Sequence, residues 1–158
     1  MNKITIEIDK ESVLESVKNI AAYIGAKSVD ATGNAAYDKV AIFEEDATVV
    51  NDIWSLSCNE LIRLFGRYVT SSSCSTTSMS VELHVPNNAL DSAQELLALN
   101  SRSFLVYCIL SKWCDIAKQE DAKIYEEDIQ VAASTIKETL YGRKTYSRTE
   151  IMDTWRQE

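Results

Sequence analysis

Val69–Val81 reads VTSSSCSTTSMSV, and its interpretation decides what this chain builds. The stretch holds no charged residue, and nine of the eleven residues from Thr70 to Ser80 are Ser or Thr, so composition alone fits a low-complexity surface loop. The segment just beyond it supports a second reading. In SVELHVP, Val81, Leu83 and Val85 alternate with Glu82 and His84, the period-2 signature of a half-buried strand, and the only proline, Pro86, ends it. Paired with YVTSS on the near side, this strand makes a β-hairpin inserted at about residues 68–86. Its turn lacks the Asn-Gly signal of a tight hairpin.

Working outward, ITIEID near the N-terminus alternates Ile4, Ile6 and Ile8 with Thr5 and Glu7, a second strand pattern. Asp9 is placed to cap a helix from Lys10, in which Val13, Leu14, Val17, Ile20, Ala21 and Ile24 recur at helical spacing. Gly25 is read as its C-terminal stop. Residues 26–45 show turn chemistry at Gly33-Asn34 and are read as a loop, with a short extended piece at Lys39–Phe43. A second helix is expected from about Asp46 to Tyr68, with Val50, Ile53, Trp54, Leu61, Leu64, Phe65 and Tyr68 on one face. Glu44, Glu45 and Asp46 sit at its start, where negative charge complements the helix dipole.

Beyond Pro86, Asn87 or Asn88 is read as the cap of a third helix running to about Lys118. Leu90, Ala93, Leu97, Phe104, Tyr107, Cys108 and Cys114 lie on one side of it, and Leu96, Leu99, Val106, Leu110 and Trp113 on another. A helix apolar on two faces is central to a bundle or lies in an interface. Unbroken, it would be about 46 Å long; a break at Asn100–Ser101 is the alternative, since both residues favour caps. A last helix is expected over about Asp121–Tyr141, striped by Tyr125, Ile129, Ala132, Ile136 and Leu140 and stopped by Gly142. The expected fold is mainly α: an antiparallel helical bundle of about four helices with an inserted β-hairpin and a short N-terminal strand. Residues 1–142 form one domain and 143–158 a C-terminal tail.

Totals narrow the function classes. Hydrophobic residues make up 46% and charged residues 25% of the 158, ordinary values for a soluble domain. Sixteen basic against twenty-four acidic side chains leave a net charge of −8, which argues against general binding to nucleic-acid phosphates. No apolar run approaches the roughly 18 residues of a membrane span, and the N-terminus lacks the apolar core of a secretory signal. Cys58, Cys74, Cys108 and Cys114 form no CxxC pair and His84 is the only histidine, so neither a zinc site nor a cofactor is expected, and a reduced, intracellular chain is the simplest reading.

No phosphate-cradling or nucleophile-elbow motif occurs, and four glycines are few for such backbones. His84 with Glu82 or Cys74 is the one catalytic constellation worth naming; an exposed strand histidine is the plainer reading, and no catalytic residue is assigned. The chain is expected not to be an enzyme.

The order of elements carries a resemblance. Two helices, a hairpin insertion, a long helix with SRSFLVYCILSKWCDIAK (101–118), then EDAKIYEEDIQVAASTIKETLYGRKTYSR (120–148) and a basic tail resemble the head–tail connector, or neck adaptor, proteins of tailed phages and prophages. The resemblance covers residues 10–148 as an architecture; the N-terminal strand departs from the simplest all-helical adaptors. It implies a non-enzymatic virion subunit, assembled in the host cytoplasm, that forms a homo-oligomeric ring and meets portal or tail components. Under that reading the interface comprises Thr70, Ser72, Cys74, Thr76, Ser78 and Val81 of the hairpin, with Arg143, Lys144, Arg148, Ile151, Met152 and Trp155 of the tail. An uncharged strand edge favours pairing with another chain, and apolar residues on a free tail gain little until a partner buries them. Arg143 and Lys144 also read as dipole-complementing residues at a helix end. The alternative function is a small cytoplasmic adaptor binding a partner through the two-sided third helix. Neither membrane nor specific nucleic-acid binding is expected.

Overall fold

A computed structural model of the chain describes residues 2–27, 32–34, 40–117 and 123–143. The N-terminal alternation forms β1 (Asn2–Asp9), and Asp9 closes it as its capping role requires: its carboxylate accepts the Ser12 N–H at 2.8 Å and starts α1 (Lys10–Lys27). Gly25 does not stop α1. It is buried inside the helix, which continues to Lys27.

A 3₁₀ turn at Glu44–Asp46 leads into α2 (Ala47–Phe65), with the Asp46 carboxylate accepting the Phe43 N–H at 2.8 Å. The expected extended piece before it forms no strand among the described residues; Val40 and Ala41 are buried, and the Trp113 indole donates to the Val40 carbonyl at 2.7 Å. The apolar stripe alone would run this helix to Tyr68. Instead Gly66 takes φ +56° and ends α2, and a 3₁₀ turn over Gly66–Tyr68 delivers the chain to the hairpin.

The hairpin is real and ordered: β2 (Val69–Cys74) and β3 (Ser78–Val85) pair antiparallel. β1 pairs antiparallel with the far side of β3, Ile4 opposite Leu83 and Ile6 opposite Val81, giving a three-stranded sheet in the order β1-β3-β2. Its inner face, Ile4, Ile6, Ile8, Met79, Val81, Leu83 and Val85, is buried against the helices. Each such side chain contributes about 1.5–3 kcal/mol by leaving water, which is why the alternation in sequence is so clean.

The third helix, α3 (Ala93–Ile116), is unbroken and begins later than Asn87 or Asn88, with Ser92 at its N-cap. Asn100 keeps helical geometry by donating from its side-chain amide to the Leu96 carbonyl at 2.7 Å, and Ser101 is buried near Leu97, Phe104 and Leu105, whose packing overrides the local preference for a cap. The two-sided apolar pattern has a structural cause. α3 is the central helix, packed against α1, α2, β1 and the last helix, α4 (Ile124–Tyr141). Val106, Leu110 and Trp113 are therefore core, while Leu99, at 64% exposure, is surface. The fold is a mainly helical bundle with one small antiparallel sheet, the hairpin and the N-terminal strand together forming that sheet.

Candidate interaction surface

The Ser/Thr run is held by its own hydroxyls. Ser75 Oγ accepts the Ser78 N–H at 2.9 Å and the Thr77 N–H at 3.2 Å, and the Ser75 N–H donates to the Ser78 carbonyl at 2.8 Å. The turn is closed through a side chain: the Ser75 hydroxyl satisfies the turn amides. The helices then pin the tip. The Trp54 indole donates to the Ser75 carbonyl at 3.2 Å, the Lys10 backbone N–H to the Thr77 carbonyl at 3.0 Å, and the Lys10 ammonium to the Thr76 carbonyl at 3.1 Å and to Asn51 Oδ1 at 2.5 Å. That ammonium also sits 6.0 Å from the centroid of the Trp54 ring. With its hydroxyls and carbonyls so engaged, the run is not slack.

The two outer strands of the sheet differ in kind. β1 carries Lys3, Glu7 and Asp9, the charges that blunt an edge, and Lys3 bridges to Glu82 at 2.6 Å. That contact, followed by the hydrogen bond from Ser71, holds the Glu82 carboxyl below its ordinary range. β2 has no charge and no proline, and every residue from Thr70 to Ser78 is exposed. Among the described residues no strand pairs with the outer edge of β2.

Of the residues singled out by sequence, Thr70, Ser72 and Cys74 lie on this edge strand, Thr76 in the turn, and Ser78 at the exposed start of β3. Val81 does not belong with them. It is 1% exposed, between Ile6 on one side and Ser72 on the other, because β3 is the central strand and Val81 is on its core face. Arg143 folds back over the end of α4, donating to the Leu140 carbonyl at 2.9 Å and the Gly142 carbonyl at 2.6 Å, as a cation at a helix C-terminus should. Lys144, Arg148, Ile151, Met152 and Trp155 lie outside the described residues.

The titratable groups divide plainly. Burial, followed by a hydrogen bond with Cys74, pushes the Cys58 thiol far above its ordinary pKa, and burial pushes Cys108 up to about 12. Both are protonated hydrophobes in the core. Cys114 is buried too, which leaves Cys74 as the exposed thiol. His84 lies opposite Lys3 and Cys74 lies opposite Met79, and the stretch of β3 from Met79 to His84 is about 17 Å long. The structure does not bring His84 and Cys74 together. Among the described residues no group of three or more His, Cys, Asp or Glu could hold a metal ion, and no helix is long and apolar enough to cross a membrane.

A second group was not assembled from sequence, although Arg143 was singled out by itself. Arg67, Tyr68, Tyr141 and Arg143 meet where the start of the hairpin passes the end of α4: the two phenol rings are 5.7 Å apart edge to face, and the Arg67 guanidinium lies 5.4 Å and 5.9 Å from their centroids. The tripeptides Gly-Arg-Tyr at 66–68 and Tyr-Gly-Arg at 141–143 are a visible signal, but nothing local says that they touch. Comparison of the chain with protein-family models, with curated proteins and with solved structures finds no match.

Proposed function

We propose that this chain is a non-enzymatic structural subunit that assembles through the open edge of β2, in the manner of a head–tail connector in the neck of a tailed phage or prophage particle. The observation that carries the reading is the contrast between the two edges of one sheet. The β1 edge is guarded by charge, whereas the β2 edge is ordered, exposed and uncharged. A strand added to β2 would gain main-chain hydrogen bonds at little entropic cost, since the turn is already pinned by Lys10 and Trp54. A ring requires β2 of one copy to meet a different surface of the next, because a β2-to-β2 contact closes at a dimer.

Lysine at the exposed positions Ser71 and Ser73 tests this. These side chains lie opposite Glu82 and Ser80, away from the core, so the fold should be retained. Light scattering across a concentration series, alone and with co-expressed portal and tail proteins, should show assembly for the wild-type chain and its loss in S71K/S73K. An S71K/S73K chain that assembles like the wild type removes β2 as the interface. A wild-type chain that stays monomeric and binds none of those partners removes the connector reading.

A further inference from the structure

The corner formed by Arg67, Tyr68, Tyr141 and Arg143 is rich in donors, and among the described residues no carboxylate pairs with it. Tyr68 is 6% exposed, and its hydroxyl is buried with no hydrogen-bond partner. A buried polar atom left in that state costs about 1–3 kcal/mol and calls for an explanation. The Arg67 and Arg143 guanidiniums both lie beside this hydroxyl, yet neither is aligned to bond it. Guanidinium groups only donate, so even a realigned arginine would leave the phenol proton unsatisfied.

Among the described residues neither arginine has an ion-pair partner. The ion pairs among the described residues are Lys3–Glu82 and Lys112–Glu60, and neither involves this corner. What favours the charge on Arg67 is Tyr68 first and Tyr141 after it. Two unpaired guanidiniums side by side repel, and they are nevertheless held together. Arg143 is tethered by one terminal nitrogen to the carbonyls of Leu140 and Gly142, and among the described residues its other nitrogens make no further bond. Gly142 lets the chain leave α4 close against the helix and Leu90: a Cβ there would meet the Glu138 carbonyl and Leu90 Cδ1, each at 3.0 Å. Arg67 is exposed, and its guanidinium lies over both rings on a flexible stem that can turn toward an incoming anion.

We infer that this corner is a binding site for a doubly charged oxyanion of the phosphate class, held between the Arg67 and Arg143 guanidiniums with the Tyr68 hydroxyl donating a third hydrogen bond. Bidentate guanidinium contacts match phosphate geometry, and the anion supplies the acceptor that Tyr68 lacks. The net charge of −8 opposes an anion at long range, but screening over about 8 Å at physiological salt leaves the local pair of cations in control. The shared chemistry is a phosphate dianion, whether free or carried as a phosphomonoester.

The test is a titration of the full chain with inorganic phosphate at constant ionic strength, followed through the side-chain N–H resonances of Arg67 and Arg143. Phenyl phosphate and acetate serve as parallel arms. A saturable response to phosphate, weakened about tenfold or more in Tyr68→Phe, is expected, since a hydrogen bond to a charged group is worth that much. Tyr68→Phe should fold as the wild type does, because the hydroxyl it removes has no partner in the free protein. Arg67→Gln should weaken binding comparably. Tighter binding of phenyl phosphate than of phosphate would identify a phosphomonoester as the occupant, and the reverse a free ion; either supports the site. Binding undiminished in Tyr68→Phe, acetate binding as tightly as phosphate, or a response that never saturates overturns the inference.

Discussion

Replacing Lys10 by Met tests whether the helices hold the hairpin. The side chain is 7% exposed, so methionine of similar length fills the space of the buried stem and removes only the ammonium. Three contacts go with it: the bonds to Asn51 Oδ1 and the Thr76 carbonyl, and the approach to the Trp54 ring. In a dry interior each charge-assisted bond would count for about 1.5–3 kcal/mol. Here Asn51 and Thr76 are exposed and rehydrate, which brings each to about 0.5–1 kcal/mol, and the ring contact adds about 0.5 kcal/mol. The expected loss is about 1.5–2.5 kcal/mol. For a chain of this size that lowers Tm by about 3–10 °C, and the urea midpoint should fall with an unchanged m-value. Because the bond to the Thr76 carbonyl ends on the turn, hydrogen exchange at the Ser75 and Ser78 amides should accelerate by about tenfold. Lys18→Met, at an exposed position of the same helix, is the control and should change neither. If Lys10→Met leaves the midpoint and the turn amides as they were, the Lys10 ammonium does not hold the hairpin, and the backbone bond to Thr77 and the Trp54 indole do.

Other perturbations separate surface from core. A thiol reagent under native conditions should modify Cys74 alone, and all four cysteines only in denaturant; native labelling of Cys58, Cys108 or Cys114 would contradict their burial. Val106→Asp should destabilise by at least about 4 kcal/mol through an unpaired buried charge, whereas Leu99→Asp should stay within about 0.5 kcal/mol of wild type by urea unfolding. Loss of partner binding in Leu99→Asp would revive the adaptor reading. Trp113→Phe strips the buried Val40 carbonyl of its donor and should cost about 1–3 kcal/mol. Tyr68 carries a pH signature. Burial acts to raise its pKa, but the two arginines outweigh it and leave the phenol below its ordinary value of 10. The folded chain thus releases this proton first, so the contribution to stability is fully present above the unfolded value and is lost as pH falls through the folded one. Phenolate absorbance should show Tyr68 titrating ahead of exposed tyrosines, and Arg67→Gln should move it upward.

How far the chain can be read without its structure depends on the range of each interaction. The alternations Ile4-Ile6-Ile8 and Val81-Leu83-Val85 declare both strands and their buried faces, and the helical stripes locate the four long helices, because side-chain period is a property of the backbone alone. The Asp9 cap is legible for the same reason: its partner, the Ser12 N–H, is three residues away. Boundaries set by packing are not. Gly25, Asn100 and Ser101 favour ends locally, yet each stays helical because the core around it outweighs a cap. Sheet order is likewise tertiary: an alternating strand looks the same at the centre as at an edge, so only the pairing of β1 with β3 made β3 the central strand and left Thr70, Ser72 and Cys74 on the open edge strand. The sequence by itself determined which residues must be buried and in what kind of element. Tertiary structure alone decided which uncharged edge stayed open and brought Arg67 and Tyr68 against Tyr141 and Arg143, since contacts between distant segments leave no periodic mark on either one.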